Sequence, residues 1–222
     1  MTGLSGRLRA AADDIWQAQH DHPFVAGIGD GTLDPEKFRF WIRQDYVFLI
    51  EYARLLALAT ARAPDLPTMT RFAGLLHETL HDEMDLHRSY SAELGISVAQ
   101  LEAERLAPTT RGYTDFLLRT AAVGDFAELL AALLPCMWGF SEIGLALAER
   151  GLPADEKYAR WIQMYSSPEF TALVEWLREL TDRCPDSNRL REVFLASSRY
   201  ELAFWEMAWT LETWPEVTAP RR

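Results

Sequence analysis

The chain has 222 residues, of which 49% are hydrophobic and 25% are charged, a composition that suits one domain with a substantial core and excludes a disordered chain. Its formal net charge of −11, with no run of lysine and arginine, disfavours nucleic acids and other polyanions as partners. The longest uncharged stretch, residues 129–141, is shorter than the roughly 20 apolar residues of a spanning helix, so we expect no membrane crossing.

The first twenty residues predict a single amphipathic helix. They carry charges throughout and contain no continuous apolar stretch, which argues against a secretory signal. The two cysteines, Cys136 and Cys184, show neither C-x-x-C spacing nor a disulfide-rich pattern. We therefore expect a cytoplasmic protein in which both thiols are reduced.

Helix signals then recur along the chain, without the two-residue alternation that marks a strand. Asp34 and Pro35 predict the cap and first turn of a long helix that ends near residue 62. A second long helix is predicted over residues 68–94. Ser97 begins a capping-box pattern, which predicts a short helix after it.

The second half of the chain continues the same pattern. Helices are predicted over residues 110–123, from a cap at Asp125 to about residue 150, and over 154–165, 168–183 and 188–209. Pro135 should bend the helix that contains it, and the tail from Trp214 to Arg222 should fray. The sequence thus predicts one all-α domain, a helical bundle over residues 1–222.

Three predicted helices each place one reactive group within an otherwise apolar face. These groups are Asp45, Cys136 and Glu201, whose neighbours at helical spacing are mostly aromatic or aliphatic. Burying an ionised carboxylate without a partner costs several kcal/mol, so such residues are rare unless they are paired or used in chemistry. We therefore expect the three side chains to share an interior pocket.

Each group also has a structural explanation. Cys136 could be an inert core residue, or a nucleophile if the carboxylates and tyrosines activate its thiol. Glu201 could tie two helices together, or hold a proton near neutral pH and act as a general acid, because desolvation raises the pKa of a carboxyl group. Asp45 could cap a neighbouring helix, or bind an amino-bearing heteroaromatic ring.

Other candidate sites are weaker. His77 and His81 lie four residues apart on one predicted helix, which raises the possibility of a metal site, but the second half of the chain has no histidine. We interpret this segment as a helix with a solvated acidic face. His20 is discounted as a haem ligand, because a histidine near a helix C-terminus is favourable with the helix dipole. The glycine-rich residues 27–31 are predicted to form a connecting turn.

Several segments together resemble the TenA, or thiaminase II, family, in its cysteine-containing branch. The segments that carry the resemblance, in the family's order, are HPFVAGIGDGTL (22–33), RQDYVFL (43–49), EMDLHR (83–88), APTTRGYTDFL (107–117), FAELLAALLPCMWGFSEIG (126–144), WIQMYSSPEF (161–170) and SSRYELAFWEMAW (197–209). Because independent motifs match almost from end to end, the resemblance is specific.

The resemblance implies a haem-oxygenase-like helical fold without haem, assembled as a homotetramer and needing neither metal nor cofactor. It implies hydrolysis of thiamin, or of thiamin-derived 4-amino-5-aminomethyl-2-methylpyrimidine, to the hydroxymethylpyrimidine, in thiamin salvage. By position, Cys136 would be the nucleophile, Asp45 the ring-binding carboxylate and Glu201 the acid and base. Metal-dependent oxygenation on the same scaffold and non-catalytic pyrimidine binding remain alternative hypotheses.

The resemblance also assigns the lining of the pocket. Tyr113 and Tyr165 would be hydroxyl donors near the thiol and the ring, and Phe48 and Phe204 would be stacking walls. Phe140 stands where family members commonly have a tyrosine, four residues after the cysteine. One hydroxyl group is therefore missing from the pocket, which bears on activation of the thiol or on substrate preference.

Overall fold

The computed structural model describes residues 3–216, except the side chains of Asp82, Glu83 and Leu86. Over these residues the chain forms twelve α-helices and one π-helical turn, and no strand occurs, which confirms the all-α prediction. The helices are α1 Leu4–Ala11, α2 Asp13–His20, α3 Pro23–Asp30, α4 Pro35–Arg62, α5 Leu66–Glu78, α6 Met84–Glu93, α7 Val98–Glu102, α8 Pro108–Val123, α9 Phe126–Glu149, α10 Glu156–Tyr165, α11 Pro168–Asp182 and α12 Asn188–Thr210; the π-helical turn is Thr79–Glu83.

The long helices α4, α9 and α12 form the centre of the fold. Helix α9 packs against α8, α10, α11 and α12, while α4 packs against α5 and α8. By length and composition α9 could span a membrane, but 72% of its most apolar window is buried inside the protein. Its place at the centre of the core accounts for its apolar sequence.

Capping residues fix where several helices begin. The side chains of Asp34, Asp125 and Ser187 accept hydrogen bonds from backbone N–H groups in the first turns of α4, α9 and α12. Ser97 forms the predicted capping box at α7. The predictions at Asp34, Asp125 and Ser97 are confirmed, and each predicted helix that forms as one element has ends within about two residues of the observed ends.

Two predictions near the N-terminus are wrong. The expected first helix is divided at Ala12, and α2 starts afresh with two aspartates, whose charges favour a helix N-terminus. Residues 27–31 do not form a connecting turn. They complete α3, which Pro23 begins, and Gly31 ends that helix with a φ of 71°, a left-handed conformation that glycine adopts without strain.

The helix predicted over residues 68–94 is not continuous. It consists of α5, the π-helical turn and α6. A π-helical turn contains one more residue than the corresponding stretch of α-helix, so it rotates α6 about its axis relative to the phase set by α5. Neither the hydrophobic periodicity nor a capping signal marks this extra residue.

The remaining local predictions have separate outcomes. Cys136 and Cys184 form no disulfide, as expected. Helix α9 continues through Pro135, and the bend there stays a prediction. Trp214 lies beyond the last helix but does not fray, because its indole N–H donates to the carbonyl of Leu106 at 2.9 Å. The rest of the predicted frayed tail, residues 217–222, lies outside the described residues.

Candidate active site

The predicted site residues all line one cavity of about 710 Å³. They come from five helices and are Asp45 and Phe48 on α4, Tyr113 on α8, Cys136 and Phe140 on α9, Tyr165 on α10, and Glu201 and Phe204 on α12. The volume is within the range of small-molecule sites, about 300–1,000 Å³, and exceeds the space that a single six-membered ring needs. The shared pocket expected from the three inward groups therefore exists.

Glu201 forms one cluster at the buried end of this cavity. Its side chain is 2% exposed and forms hydrogen bonds with the hydroxyl of Tyr113 and the thiol of Cys136. The pKa of the Glu201 carboxyl is raised to about 7, because burial and the charge of Asp45 raise it more than the two hydrogen bonds lower it. The general-acid hypothesis required such a shift, and the structure supplies it.

Hydroxyl groups extend the cluster around Glu201. The Tyr113 hydroxyl donates to Glu201 Oε1 and also lies 3.2 Å from Ser197 Oγ. Ser197 Oγ donates to the carbonyl of Ala132 at 2.6 Å, because that carbonyl can only accept. The hydrogen bond from Tyr113 stabilises the charged form of Glu201, so the raised pKa of the carboxyl is due to burial and to the charge of Asp45.

Tyr113 stays protonated in this environment. Its side chain is 1% exposed, and burial, reinforced by the neighbouring Glu201 and Cys136, raises the pKa of its hydroxyl well above the usual range. The hydroxyl is therefore a hydrogen-bond donor at neutral pH. The predicted role of a donor near the thiol agrees with this geometry.

Asp45 belongs to a second cluster on the same cavity. The carboxylate is 6% exposed, and its Oδ2 atom lies 2.7 Å from Nε2 of His87 on α6. Because an ionised carboxylate can only accept, Nε2 carries the hydrogen of this bond. The partner of Asp45 in this bond is thus a side chain and not the backbone N–H of a helix's first turn. Both buried carboxyl groups have polar partners, but the partners differ.

Aromatic rings form the walls of the cavity. Phe48 meets Phe204 edge to face, with ring centroids 5.7 Å apart, and packs on Tyr113 at 5.4 Å. Phe140 lies 4.9 Å from Tyr165 between ring centroids. Flat apolar surfaces at these separations can enclose a planar ring, as expected for the predicted stacking residues.

Several lining residues were missed at the sequence level. Tyr52 and Met137 close the inner end, where the Tyr52 hydroxyl donates to the Met137 sulfur at 2.9 Å. Arg71 and Glu78 on α5, and Glu169 on α11, are exposed and line the outer end. The tyrosine lies on the same apolar face as Asp45, which was a usable signal, but no pattern brings α5 and α11 to this cavity.

The histidines considered as metal or haem ligands make other contacts. His77 and His81 stack with ring centroids 4.2 Å apart, and His81 Nδ1 lies 3.0 Å from the His77 carbonyl. His20 Nε2 lies 3.3 Å from Glu142 Oε1. Within residues 3–216, no three His, Cys, Asp or Glu side chains with described positions form a group that could hold a metal ion.

Comparison with known proteins identifies close relatives. A model of the TENA/THI-4/PQQC family matches residues 9–211. An aminopyrimidine aminohydrolase of Halalkalibacterium halodurans is 45% identical over 220 residues, which cover 95% of this chain and 97% of that protein. The solved structure of a TenA homologue from P. horikoshii OT3 has a TM-score of 0.90 at 33% identity and covers 94% of this chain and 99% of its own.

A more distant structure confirms the fold. A domain from Shewanella denitrificans, described as having a haem-oxygenase-like fold, has a TM-score of 0.72 at 15% identity, over 95% of this chain and 94% of its own. At that identity the likeness bears on the fold alone, and it confirms the haem-oxygenase-like architecture expected from the sequence. Because the family model spans most of the chain, the protein belongs to the TENA/THI-4/PQQC family.

Proposed function

We propose that this protein is an aminopyrimidine aminohydrolase of the thiaminase II type, acting in thiamin salvage. The observation that carries the proposal is the convergence of the Cys136 thiol, the Glu201 carboxyl and the Asp45 carboxylate on one aromatic-walled cavity. The relative from Halalkalibacterium halodurans, which carries the name aminopyrimidine aminohydrolase, supports the same reaction. The reaction replaces the group on the exocyclic methylene of a 4-amino-2-methylpyrimidine with hydroxyl.

The chain's own residues suffice for a covalent route. Asp45 accepts a hydrogen bond from the pyrimidine amino group and holds the ring between the aromatic walls. The Cys136 sulfur adds to the ring while Glu201 gives its proton to a ring nitrogen, and Glu201 then takes the proton of the thiol. The electron pair gained by the ring expels the leaving group from the methylene carbon. No metal or cofactor enters this route.

Water completes the reaction. Its oxygen bonds to the methylene carbon, and its surplus proton passes to the released amine or, when thiamin releases a neutral thiazole, to solvent. The ring nitrogen returns its proton, and the carbon–sulfur bond breaks to restore the Cys136 thiol. The contact between the thiol and Glu201 lets one carboxyl act first as acid and then as base. Splitting one substitution into an addition and an elimination lowers the barrier of each step.

The outer end of the cavity bears on the leaving group. It is lined by Glu78, Glu169 and Arg71, and the guanidinium of Arg71 already lies over the Trp176 ring, 4.4 Å from its centroid. The outer end thus has two carboxylates and one guanidinium, and the guanidinium already contacts an aromatic ring. This charge balance favours a neutral or cationic leaving group over a phosphorylated one. Both intact thiamin and the aminomethylpyrimidine meet this requirement.

The direct test is turnover of both candidate substrates by the wild-type protein and by Cys136→Ser. We expect the wild type to release hydroxymethylpyrimidine, detected by mass spectrometry, and the serine variant to lose at least about 10³-fold in kcat while still binding the product. The ratio of kcat/KM for thiamin and aminomethylpyrimidine then identifies the preferred substrate. Near-normal turnover by Cys136→Ser would remove the nucleophile assignment.

Two further outcomes separate the competing functions. Binding of the pyrimidine without any turnover would indicate a non-catalytic binding protein. Turnover that needs a stoichiometric metal, measured in the purified protein by elemental analysis, would indicate a metal-dependent oxygenase. Turnover that persists after chelation supports the proposed hydrolase.

The proposal includes a cytoplasmic homotetramer that does not bind membranes. Support for assembly comes from the first turn of α5, where Leu66 is 72% exposed and Met69, three residues later, is 38% exposed. Exposed large apolar side chains that are close together are typical of surfaces covered by a partner. Light scattering coupled to size-exclusion chromatography tests the mass, and fractionation of cells tests the compartment.

A further inference from the structure

The hydrogen bond between Asp45 and His87 joins the walls of two different cavities. Asp45 lines the main cavity, whereas His87 lines a second cavity of about 350 Å³, which also borders on Trp41 and Trp161. His87 is 3% exposed and is not among the residues that line the main cavity. It therefore reaches the carboxylate from the side away from the main cavity.

The π-helical turn places His87 behind Asp45. Phe72, Leu75 and Thr79 are buried at intervals of three and four residues, the spacing of one α-helical face. Among the side chains that the structure describes, the next buried ones are Met84, His87 and Ser91, and Met84 follows Thr79 by five positions instead of three or four. The single extra residue of the π turn therefore accounts for the inward position of the histidine.

We propose that His87 is a positioning residue, which fixes the Asp45 carboxylate in the orientation that receives the amino group of the pyrimidine. The inference rests on the proposed function, because it assumes an aminopyrimidine in the main cavity. His87 Nε2 holds the Oδ2 atom of a carboxylate that lines the main cavity, at 2.7 Å, and in this proposal the Oδ1 atom accepts from the ligand. A short charge-assisted hydrogen bond to a buried carboxylate restricts its rotation.

The test uses two amides that differ by one methylene group. In His87→Gln the side-chain nitrogen can reach the position of Nε2, whereas in His87→Asn it is too short to do so. The control is His81→Gln, an exposed histidine in the preceding turn whose described contacts are the ring and the backbone carbonyl of His77. Calorimetry measures the Kd of 4-amino-5-hydroxymethyl-2-methylpyrimidine, steady-state kinetics gives KM and kcat, and thermal unfolding confirms that each variant is folded.

We expect His87→Asn to weaken pyrimidine binding about tenfold or more and to raise KM more than it lowers kcat, because the buried carboxylate loses its partner and its orientation. His87→Gln should stay within about threefold of the wild type, as should His81→Gln. A folded His87→Asn variant with wild-type affinity would overturn the proposal. So would a folded His87→Gln variant as weak as His87→Asn, since the hydrogen bond would then not matter.

The measurements distinguish failure of the role of His87 from failure of the proposed function. If the wild type binds the pyrimidine and His87→Asn does not, positioning by His87 stands even if no hydrolysis occurs. If the wild type hydrolyses its substrate and the His87 variants behave like it, only the positioning role fails. A wild-type protein that neither binds nor hydrolyses the aminopyrimidine removes both.

Discussion

The two buried carboxyl groups of the cavity have different surroundings, and this difference suits them to different roles. Glu201 is buried and faces a second acid, so its pKa is raised to about 7 despite its hydrogen bonds with a tyrosine hydroxyl and a thiol, and it can hold a proton. Asp45 accepts a hydrogen bond from a histidine instead. One fold can thus supply a proton donor and a hydrogen-bond acceptor from the same kind of side chain, by controlling the neighbours of each.

The largest effect on this difference is expected for Glu201→Gln. The amide cannot exchange a proton with the ring or the thiol, so kcat should fall by about 10²–10⁴-fold, the usual contribution of general acid–base catalysis. Product affinity should change little, because the change is isosteric. Steady-state kinetics with calorimetry checks both. A variant that loses affinity but keeps kcat would reverse the roles of the two carboxyl groups.

The stability of the same variant should depend on pH differently from that of the wild type. The folded-state pKa of Glu201, about 7, exceeds its ordinary value of 4.5, so its contribution to stability is fully present below pH 4.5 and is lost as the pH rises through about 7. The wild type should therefore lose stability relative to Glu201→Gln between those values. Denaturant unfolding at pH 5 and pH 8 measures this, and an equal difference at both values would contradict the assignment.

A smaller loss is expected for Asp45→Asn. Removing a charged acceptor from the pocket should weaken pyrimidine binding about tenfold to a hundredfold, which is the size of a hydrogen bond to a charged group. Because the charge of Asp45 raises the pKa of Glu201, the pKa of Glu201 should also fall in this variant. Calorimetric Kd values and the pH profile of kcat test the two effects separately.

A modest effect on the pKa of Glu201 is expected for Tyr113→Phe. The hydrogen bond from Tyr113 lowers the pKa of Glu201, so its removal should raise that pKa. Since Glu201 acts as an acid, the decline of kcat expected above about pH 7 should move to higher pH, with less than about a tenfold loss at the optimum. A decline that moves to lower pH would contradict the proton arrangement in this cluster.

The smallest effect is expected for Phe140→Tyr, which restores the tyrosine hydroxyl common in the family. Phe140 packs against Tyr165 and Trp205, with ring centroids 4.9 and 5.0 Å away. One added hydrogen-bond donor should raise kcat/KM about two- to tenfold, the net value of a neutral hydrogen bond. A loss of activity would indicate that the hydroxyl finds no partner in this pocket.

The sequence could predict the groups that lie on continuous helices. Asp45, Cys136 and Glu201 stand out because each interrupts an apolar face with a regular period of 3.6, and the structure brings all three to one cavity. Their assigned roles stay predictions. The caps at Asp34 and Asp125 were equally readable, because a side-chain acceptor followed by a helical pattern has one common explanation.

The parts that could not be predicted depend on local departures from that period. His87 escaped notice because one extra residue in the π turn shifts the buried face, so a continuous α-helix assigns the wrong residues to the interior. Helix α3 was missed because His22, which is outside the usual set of capping residues, caps it. Ser197 carries no pattern, and its importance appears only from the contacts with Tyr113 and Ala132.

The central claim, that Glu201 holds a proton near neutral pH while facing Asp45, can be measured directly by infrared difference spectroscopy between pH 5.5 and pH 8.5. The account predicts a protonated-carboxyl band that titrates near pH 7 in the wild type, is absent in Glu201→Gln, and titrates at lower pH in Asp45→Asn. A band that persists in Glu201→Gln, or a wild type with no such band at pH 5.5, would contradict the account.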